Sequence, residues 1–269
     1  MRNGADITLM GIINVTPDSF SDGGLYQESI DAADQARRLI SDGADILDIG
    51  GESTRPYADP VSVTEELSRV IPVITQIRSF SDIPISIDTM KAEVAREALQ
   101  AGATIINDVS ALRHDPLMLD LLKQTDVDVI IMHMKGTPGT MQDNPTYSDI
   151  ISEIIAFFQE RLELLKSEGI DLKRIIIDPG IGFGKKLEHN LSILKHLEKL
   201  SSLGQPVLLG HSRKRFLGDI TGIDTPDRDL VTAVVSGLCQ DKKVSIIRVH
   251  DVASTRYALL ASQAVNQAN

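Results

Sequence analysis

The chain has 269 residues, with 27 Lys and Arg against 38 Asp and Glu, a net charge of −11 and 42 % apolar residues. These values exclude a disordered chain and argue against a general nucleic-acid binder, whose phosphate contacts need a surplus of cations. The single cysteine, Cys239, excludes an intrachain disulfide framework. No apolar run reaches the roughly 18 residues of a membrane span, and residues 1–6 are short and polar, so a cytoplasmic protein without a leader segment is expected.

In chain order, residues 7–14 read as a strand, and 27–41 as a helix stopped by Gly43. A strand at 45–49 ends in Gly50-Gly51, and a helix follows at 61–80 with Glu65 and Glu66 in its early turns. Then come a strand at 84–87, a helix at 91–100 stopped by Gly102, a strand at 104–106 and a short helix at 116–123. The second half repeats the pattern with strands at 128–133, 174–177, 206–209 and 245–249. Each is followed by a helix, at 147–167, 189–200, 228–240 and 254–265. No linker divides the chain, so one domain over residues 1–269 is expected. Eight β/α units imply a parallel sheet, and in this length they fit a (β/α)8 TIM barrel. An open doubly wound sheet is the alternative. The barrel is preferred because polar residues follow nearly every strand, and they converge in a ring only if the sheet closes.

Those residues are Asn14, Asp48, Asp88, Asn107, His133, Asp178, Ser212 and Arg248. In a barrel they sit at the C-terminal mouth, where catalytic groups lie. Singly, each has a plain alternative: Asp88 could cap the next helix, and Asn107 could hold a turn. The run Asp178-Pro179-Gly180-Ile181-Gly182-Phe183-Gly184-Lys185 suggests a phosphate cradle, but it lacks the P-loop and dinucleotide spacings, and a tight turn with positive φ serves equally. Ser212-Arg213-Lys214-Arg215 is a basic cluster directly after a strand. Arg248 and His250 share a face through the period of two, so with the lysine cluster they point to an anion site. No His/Asp/Glu spacing suggests zinc, whereas Mg²⁺ held partly by Asn14 and substrate phosphates would leave little trace.

The segments Asn14-Val15-Thr16-Pro17-Asp18-Ser19-Phe20-Ser21-Asp22-Gly23-Gly24 and Asp48-Ile49-Gly50-Gly51-Glu52-Ser53-Thr54-Arg55-Pro56 resemble the two signature loops of the dihydropteroate synthase family. Ile87-Asp88-Thr89, Ile106-Asn107-Asp108, Met132-His133-Met134, the glycine run, Ser212-Arg213-Lys214 and Arg248-Val249-His250 resemble its later blocks, in order. The resemblance implies a (β/α)8 barrel, a homodimer and Mg²⁺. It also implies a transferase joining 6-hydroxymethyl-7,8-dihydropterin diphosphate to 4-aminobenzoate in folate biosynthesis. By that resemblance Asp88, Asn107, Asp178 and Lys214 hold the pterin, with Arg248 beside it and Met132 and Gly210 lining the pocket. Asn14, Arg248 and His250 bind the diphosphate, Asn14 also at the metal. Phe20, Pro56, Phe183, Ser212, Lys214 and Arg215 border the aminobenzoate pocket, and Asp22, Thr54 and Arg55 come from loops that close over it. Asp88, Asp178, Lys214 and Asn14 are the implied catalytic set. Arg215 stands where many members carry Ser, and His211 and Lys243 replace smaller residues. The rival readings are a pterin-binding methyltransferase domain and a non-catalytic pterin-binding protein.

Overall fold

The computed structural model describes residues 7–16, 24–53, 59–137, 139–224 and 227–268, and the backbone alone for residues 24–28. Phe20, Asp22, Thr54, Arg55 and Pro56 lie outside the described residues. Eight parallel strands form one sheet: β1 (Thr8–Asn14), β2 (Ile46–Gly50), β3 (Ile85–Asp88), β4 (Ile105–Asp108), β5 (Asp128–Met132), β6 (Ile175–Asp178), β7 (Leu208–Leu209) and β8 (Ile246–Val249). Their order is β6-β5-β4-β3-β2-β1-β8-β7, and a bridge between Ile177 and Val207 joins the two outermost strands into a (β/α)8 barrel. The helices are α1 (Gly24–Asp42), α2 (Val63–Arg78), α3 (Ala92–Ala101), α4 (Leu117–Lys123), α5 (Ile150–Ser167), α6 (Leu187–Lys195), α7 (Arg215–Thr221), α8 (Asp229–Leu238) and α9 (Val252–Asn266).

Alternation along the strands builds two cores. Outward residues such as Leu47, Ile49, Ile85, Ile87, Ile131 and Ile177 pack against the helices. Inward, Met10, Ile46, Ile105, Ile130, Ile176, Leu208 and Ile246 form one buried layer with a residue from seven of the eight strands. Each contributes on the order of 1.5–3 kcal/mol by leaving water, and together they plug the barrel below the mouth. Two residues further along six of these seven strands, the same inward face carries Asp48, Asn107, Met132, Asp178, Gly210 and Arg248. The site is thus the next layer of the same alternation.

Local chemistry moves several expected boundaries. Helix α5 begins at Ile150 because the Asp149 carboxylate accepts hydrogen bonds from the Ile151 and Ser152 amides. The helix expected at 189–200 stops at Lys195 and gives way to a 3₁₀ segment, Leu197–Leu203. Three residues per turn put buried Leu197 and Leu200 on one face there. Helix α7 was hidden in the sequence by its basic start. Buried Phe216 and Leu217 anchor it, and Gly222 ends it in the left-handed conformation.

Candidate active site

At the mouth, Asp88, Asn107, Val109, Met132, Asp178, Phe183, Gly210, Lys214 and Arg248 line a cavity of about 290 Å³. Eight of these nine were expected from the sequence; Val109 was not. Arg248 organises the acidic side. Its Nε donates to Asp48 Oδ2 at 2.5 Å, and its terminal nitrogen donates to Asp88 Oδ2 at 2.8 Å. Asn107 Nδ2 lies 3.3 Å from Asp48 Oδ2. Asp48 is therefore a buried anchor for both Arg248 and Asn107. It was expected at the mouth but given no role; β2 and β8 both flank β1, with Asp48 beside Ile12 and Arg248 beside Met10, which brings the two inward side chains within reach across that strand.

These contacts settle the alternatives. Asp88 does not cap α3. The Ala92 amide is taken by Asp115 at 2.8 Å, and the Lys91 amide lies 3.2 Å from Thr89 Oγ1. Nor does Asn107 hold the turn after β4. Buried Asp108 does so, accepting from the Ser110 amide, the Ser110 hydroxyl and the Leu112 amide at 2.7, 2.6 and 3.1 Å. The turn tolerates positive φ at Ala111 and Leu112 and carries Val109 over the cavity.

The glycine run is a turn and not a phosphate cradle. The Gly180 amide donates to Asp178 Oδ1 at 2.7 Å and the Gly182 amide to Asn190 Oδ1 at 2.8 Å, so these donors are spent inside the protein. Gly180, Gly182 and Gly184 all have positive φ. At Gly180 an added Cβ would lie 2.0 Å from the His133 carbonyl oxygen, which requires glycine on steric grounds as well.

The basic cluster divides. Only Lys214 reaches the cavity; its ammonium donates to the Ile181 carbonyl and stands 4.2 Å from the centre of the Phe183 ring. Arg213 turns to Asp229 with bonds of 2.7 and 2.6 Å. Arg215 is 91 % exposed, with Asp219 3.7 Å away, and is not brought to the cavity. Ser212 is buried and lies 2.9 Å from His250 Nδ1. Asn14 ends β1 half-buried, beside Gly50 in register, with Gly50 beside Asp88. His211 is wholly buried, its Nε2 3.0 Å from the Thr232 carbonyl and 3.1 Å from Ser236 Oγ. This pins the end of β7 to α8, a packing role. Lys243 adopts positive φ just before β8.

Burial shapes the charges. It pushes the Asp88 carboxyl up to about 7 against the pull of Arg248, with Asp48 adding to the rise. It also raises Asp178, opposed by Lys214 and by the Gly180 amide. Burial brings Lys214 down to about 7, opposed by Asp178. Arg248 stays above its ordinary value because Asp48 and Asp88 outweigh its desolvation. Near neutral pH the cavity therefore holds groups poised between charged and neutral forms.

Each side chain on the acidic wall commits part of itself to the protein and presents the rest. Asp88 uses Oδ2 and Asp178 uses Oδ1, while Asn107 uses its amide nitrogen. This leaves Asp88 Oδ1, Asp178 Oδ2 and Asn107 Oδ1 as acceptors without hydrogen bonds among the described residues. A cationic edge of Lys214 and Arg248 and an apolar wall of Met132 and Phe183 complete the pocket. The fold and cavity define a (β/α)8 barrel with a mouth pocket lined by acceptors, cations and apolar side chains.

The comparisons are specific. The family model for pterin binding enzymes matches residues 10–250. The dihydropteroate synthase of Synechocystis sp. is 47 % identical over 247 residues, which are 91 % of this chain and 85 % of that protein. The Yersinia pestis dihydropteroate synthase, solved with a sulfonamide drug, superposes with a TM-score of 0.92 at 41 % identity, covering 97 % of this chain and 95 % of that one. The Xanthomonas albilineans dihydropteroate synthase, solved with 4-aminobenzoic acid, gives 0.91 at 46 % identity over 98 % and 94 %. The chain belongs to the pterin-binding enzyme family and, within it, to the dihydropteroate synthases, transferases of folate synthesis. Among the described residues no helix is long and apolar enough to cross a membrane.

Proposed function

We propose that the chain joins 6-hydroxymethyl-7,8-dihydropterin diphosphate to 4-aminobenzoate, releasing diphosphate and 7,8-dihydropteroate. The observation that carries this reading is the set of cavity-facing acceptors on Asp88, Asn107 and Asp178, which match the amino and ring N–H donors of a pterin. Met132 and Gly210 flank that ring. Arg248 and His250, with Asn14, lie on the side assigned to the diphosphate. Phe183, Lys214 and Ser212 lie on the side assigned to the aminobenzoate, and the family resemblance assigns Phe20, Asp22, Thr54, Arg55 and Pro56 to the same substrate.

The chemistry is dissociative. The C–O bond to diphosphate breaks first, and its electron pair leaves with the diphosphate. The exocyclic carbon carries a cation delocalised into the pterin, which the Asp88 and Asp178 carboxylates stabilise. The weakly nucleophilic aryl amine then forms the C–N bond and loses its proton afterwards, so no strong base is needed. Arg248 and His250 hold the leaving anion. The acceptor set also fits Mg²⁺. The Asn14 carboxamide supplies one hard oxygen donor at the mouth, and no group of three or more His, Cys, Asp or Glu among the described residues offers an all-protein cage. Such an ion keeps water and phosphate oxygens as its other ligands, and when bound it supplies charge to offset the diphosphate.

The homodimer reading is supported by an exposed apolar face on two adjacent helices: Leu230, Val234 and Leu238 of α8, and Tyr257, Leu260 and Val265 of α9. A second copy of the chain is the occupant that fits an isologous interface. Turnover with both substrates tests the function; methyl transfer from a methylated pterin, or pterin binding without turnover, would replace it. A secondary deuterium isotope effect at the exocyclic carbon tests the mechanism, and a value near unity on a chemistry-limited step would exclude the cation.

A further inference from the structure

The loop 179–184 is held in place by side chains outside it. The Ile181 carbonyl takes Lys214, the Gly182 carbonyl takes Gln142 Nε2 at 2.7 Å, the Phe183 carbonyl takes Lys185 Nζ at 2.9 Å, and the Gly184 carbonyl takes the Tyr147 hydroxyl at 2.8 Å. Of these donors, Lys185 is the most deeply committed. It is 4 % exposed, and beyond Phe183 its ammonium lies 3.0 Å from His133 Nδ1 and 3.2 Å from the His133 carbonyl. Burial lowers the Lys185 amine well below its ordinary value, opposed by Asp178 and reinforced by Lys214, and the three acceptors around it match the three donors of its charged form.

The histidine is matched to this role. Burial, with Lys185 and Arg113 nearby, lowers His133 to about 2, so the ring is neutral. Its Nδ1 accepts, which places the proton on Nε2. The ring is wedged edge-on against Phe157, 5.0 Å between centres. His133 directly follows Met132, one wall of the cavity, and its amide donates to the Asp178 carbonyl at 2.9 Å.

We propose that Lys185 is a positioning residue for the second substrate: by tying the end of β5 to the Phe183 carbonyl, its side-chain nitrogen sets where the Phe183 ring stands at the mouth. The inference rests on the reading that Phe183 borders the aminobenzoate. Asp48 holds Asn107 and Arg248, and Arg248 in turn holds Asp88, a network that does not include Lys185. Loss of the lysine should therefore fall on one substrate more than the other.

The test is the full-length Lys185→Met enzyme, assayed with both substrates and by hydrogen exchange of the amides at 180–184. We expect the KM for 4-aminobenzoate to rise about tenfold or more, as misplacement of a substrate wall allows, with a much smaller change for the pterin diphosphate and faster exchange in the loop. Equal rises in both KM values, a fall confined to kcat, or unchanged exchange would overturn it. His133→Leu removes one of the three acceptors and keeps the lysine, so it should shift the same KM by less if Lys185→Met fails to fold. His133→Asn offers an oxygen in place of Nδ1 and should restore it. Wild-type enzyme that turns over neither substrate would refute the proposed function, while the exchange measurement would still decide the role of Lys185.

Discussion

Asp88→Asn should make the protein more stable and less able to bind its pterin. The Asp88 side chain is 12 % exposed, and burial holds its carboxyl near 7 against an ordinary 3.8. A carboxyl with a raised folded-state pKa binds its proton more tightly folded than unfolded. The stability this gives is full below about pH 4 and is lost as pH rises through about 7. At about 1.4 kcal/mol per tenfold change in proton affinity, the ionised side chain costs the folded state roughly 4 kcal/mol at pH 8. Asparagine avoids that cost and can still accept from Arg248 through its oxygen. Its amide nitrogen needs a new partner, which takes back about 1–3 kcal/mol. The net gain is about 2 kcal/mol, or about 4–8 °C in Tm for a chain of this size. Thermal unfolding of both proteins between pH 4 and 8 provides the assay, with pterin binding measured in parallel. The gain should be largest at pH 8 and turn into a loss of about 1–3 kcal/mol near pH 4, where only the cost of the asparagine amide is left. A lower Tm for the variant at pH 8 would mean that Asp88 serves Arg248 more than burial penalises it, and would refute the reasoning. Unchanged turnover would remove Asp88 from the mechanism.

Gly180→Ala combines a φ of 69° with a Cβ 2.0 Å from the His133 oxygen; urea unfolding should show a loss of about 3–5 kcal/mol, and a loss below about 1 kcal/mol would show that the loop relaxes. Arg215→Ala removes a solvent-facing group, so the KM for 4-aminobenzoate should stay unchanged; a rise would show that the arginine swings inward to the substrate. A sulfonamide that mimics 4-aminobenzoate should raise the apparent KM for that substrate without lowering the limiting rate, and inhibition that excess 4-aminobenzoate does not relieve would argue for a different pocket. Leu238→Glu, placed on the exposed apolar face of α8, should yield monomers by analytical ultracentrifugation if a second copy covers that face.

The barrel was legible because the apolar runs and their terminal polar residues repeat in step. Met10 and Ile46 belong to the plug for the same reason that Asn14 and Asp48 point to the mouth: an even number of residues separates them. What stayed hidden was pairing across long stretches of chain. Arg248 read as part of an anion site, and its pairing with Asp48 and Asp88, 200 and 160 residues away, left no mark in the sequence. Ser212, Arg213, Lys214 and Arg215 looked like one patch. Arg213 has a positive φ and Lys214 caps α7, so neighbouring side chains diverge to Asp229, the cavity and solvent. Lys185 stood at the end of a quoted motif, but its partner His133 lies 52 residues away. No local pattern announces a cage built by a strand end and the loop that leads into α6.

The way the barrel closes also bears on how the site comes into being. Strands β1 to β6 neighbour one another in chain order, whereas β8 pairs with the first strand and β7 with β8. A chain leaving the ribosome can lay down six strands successively, each a short search from the last. Strand β8 must then close a loop spanning most of the molecule, which is slow because the entropy is spent before the contacts form. Until it docks, Asp48 and Asp88 share a trough that lacks their arginine, and β7 is held at the β6 edge by the bridge between Ile177 and Val207 alone. The topology predicts that the binding site matures late in folding, and that a nascent chain short of β8 has most of the scaffold without the arginine that balances Asp48 and Asp88.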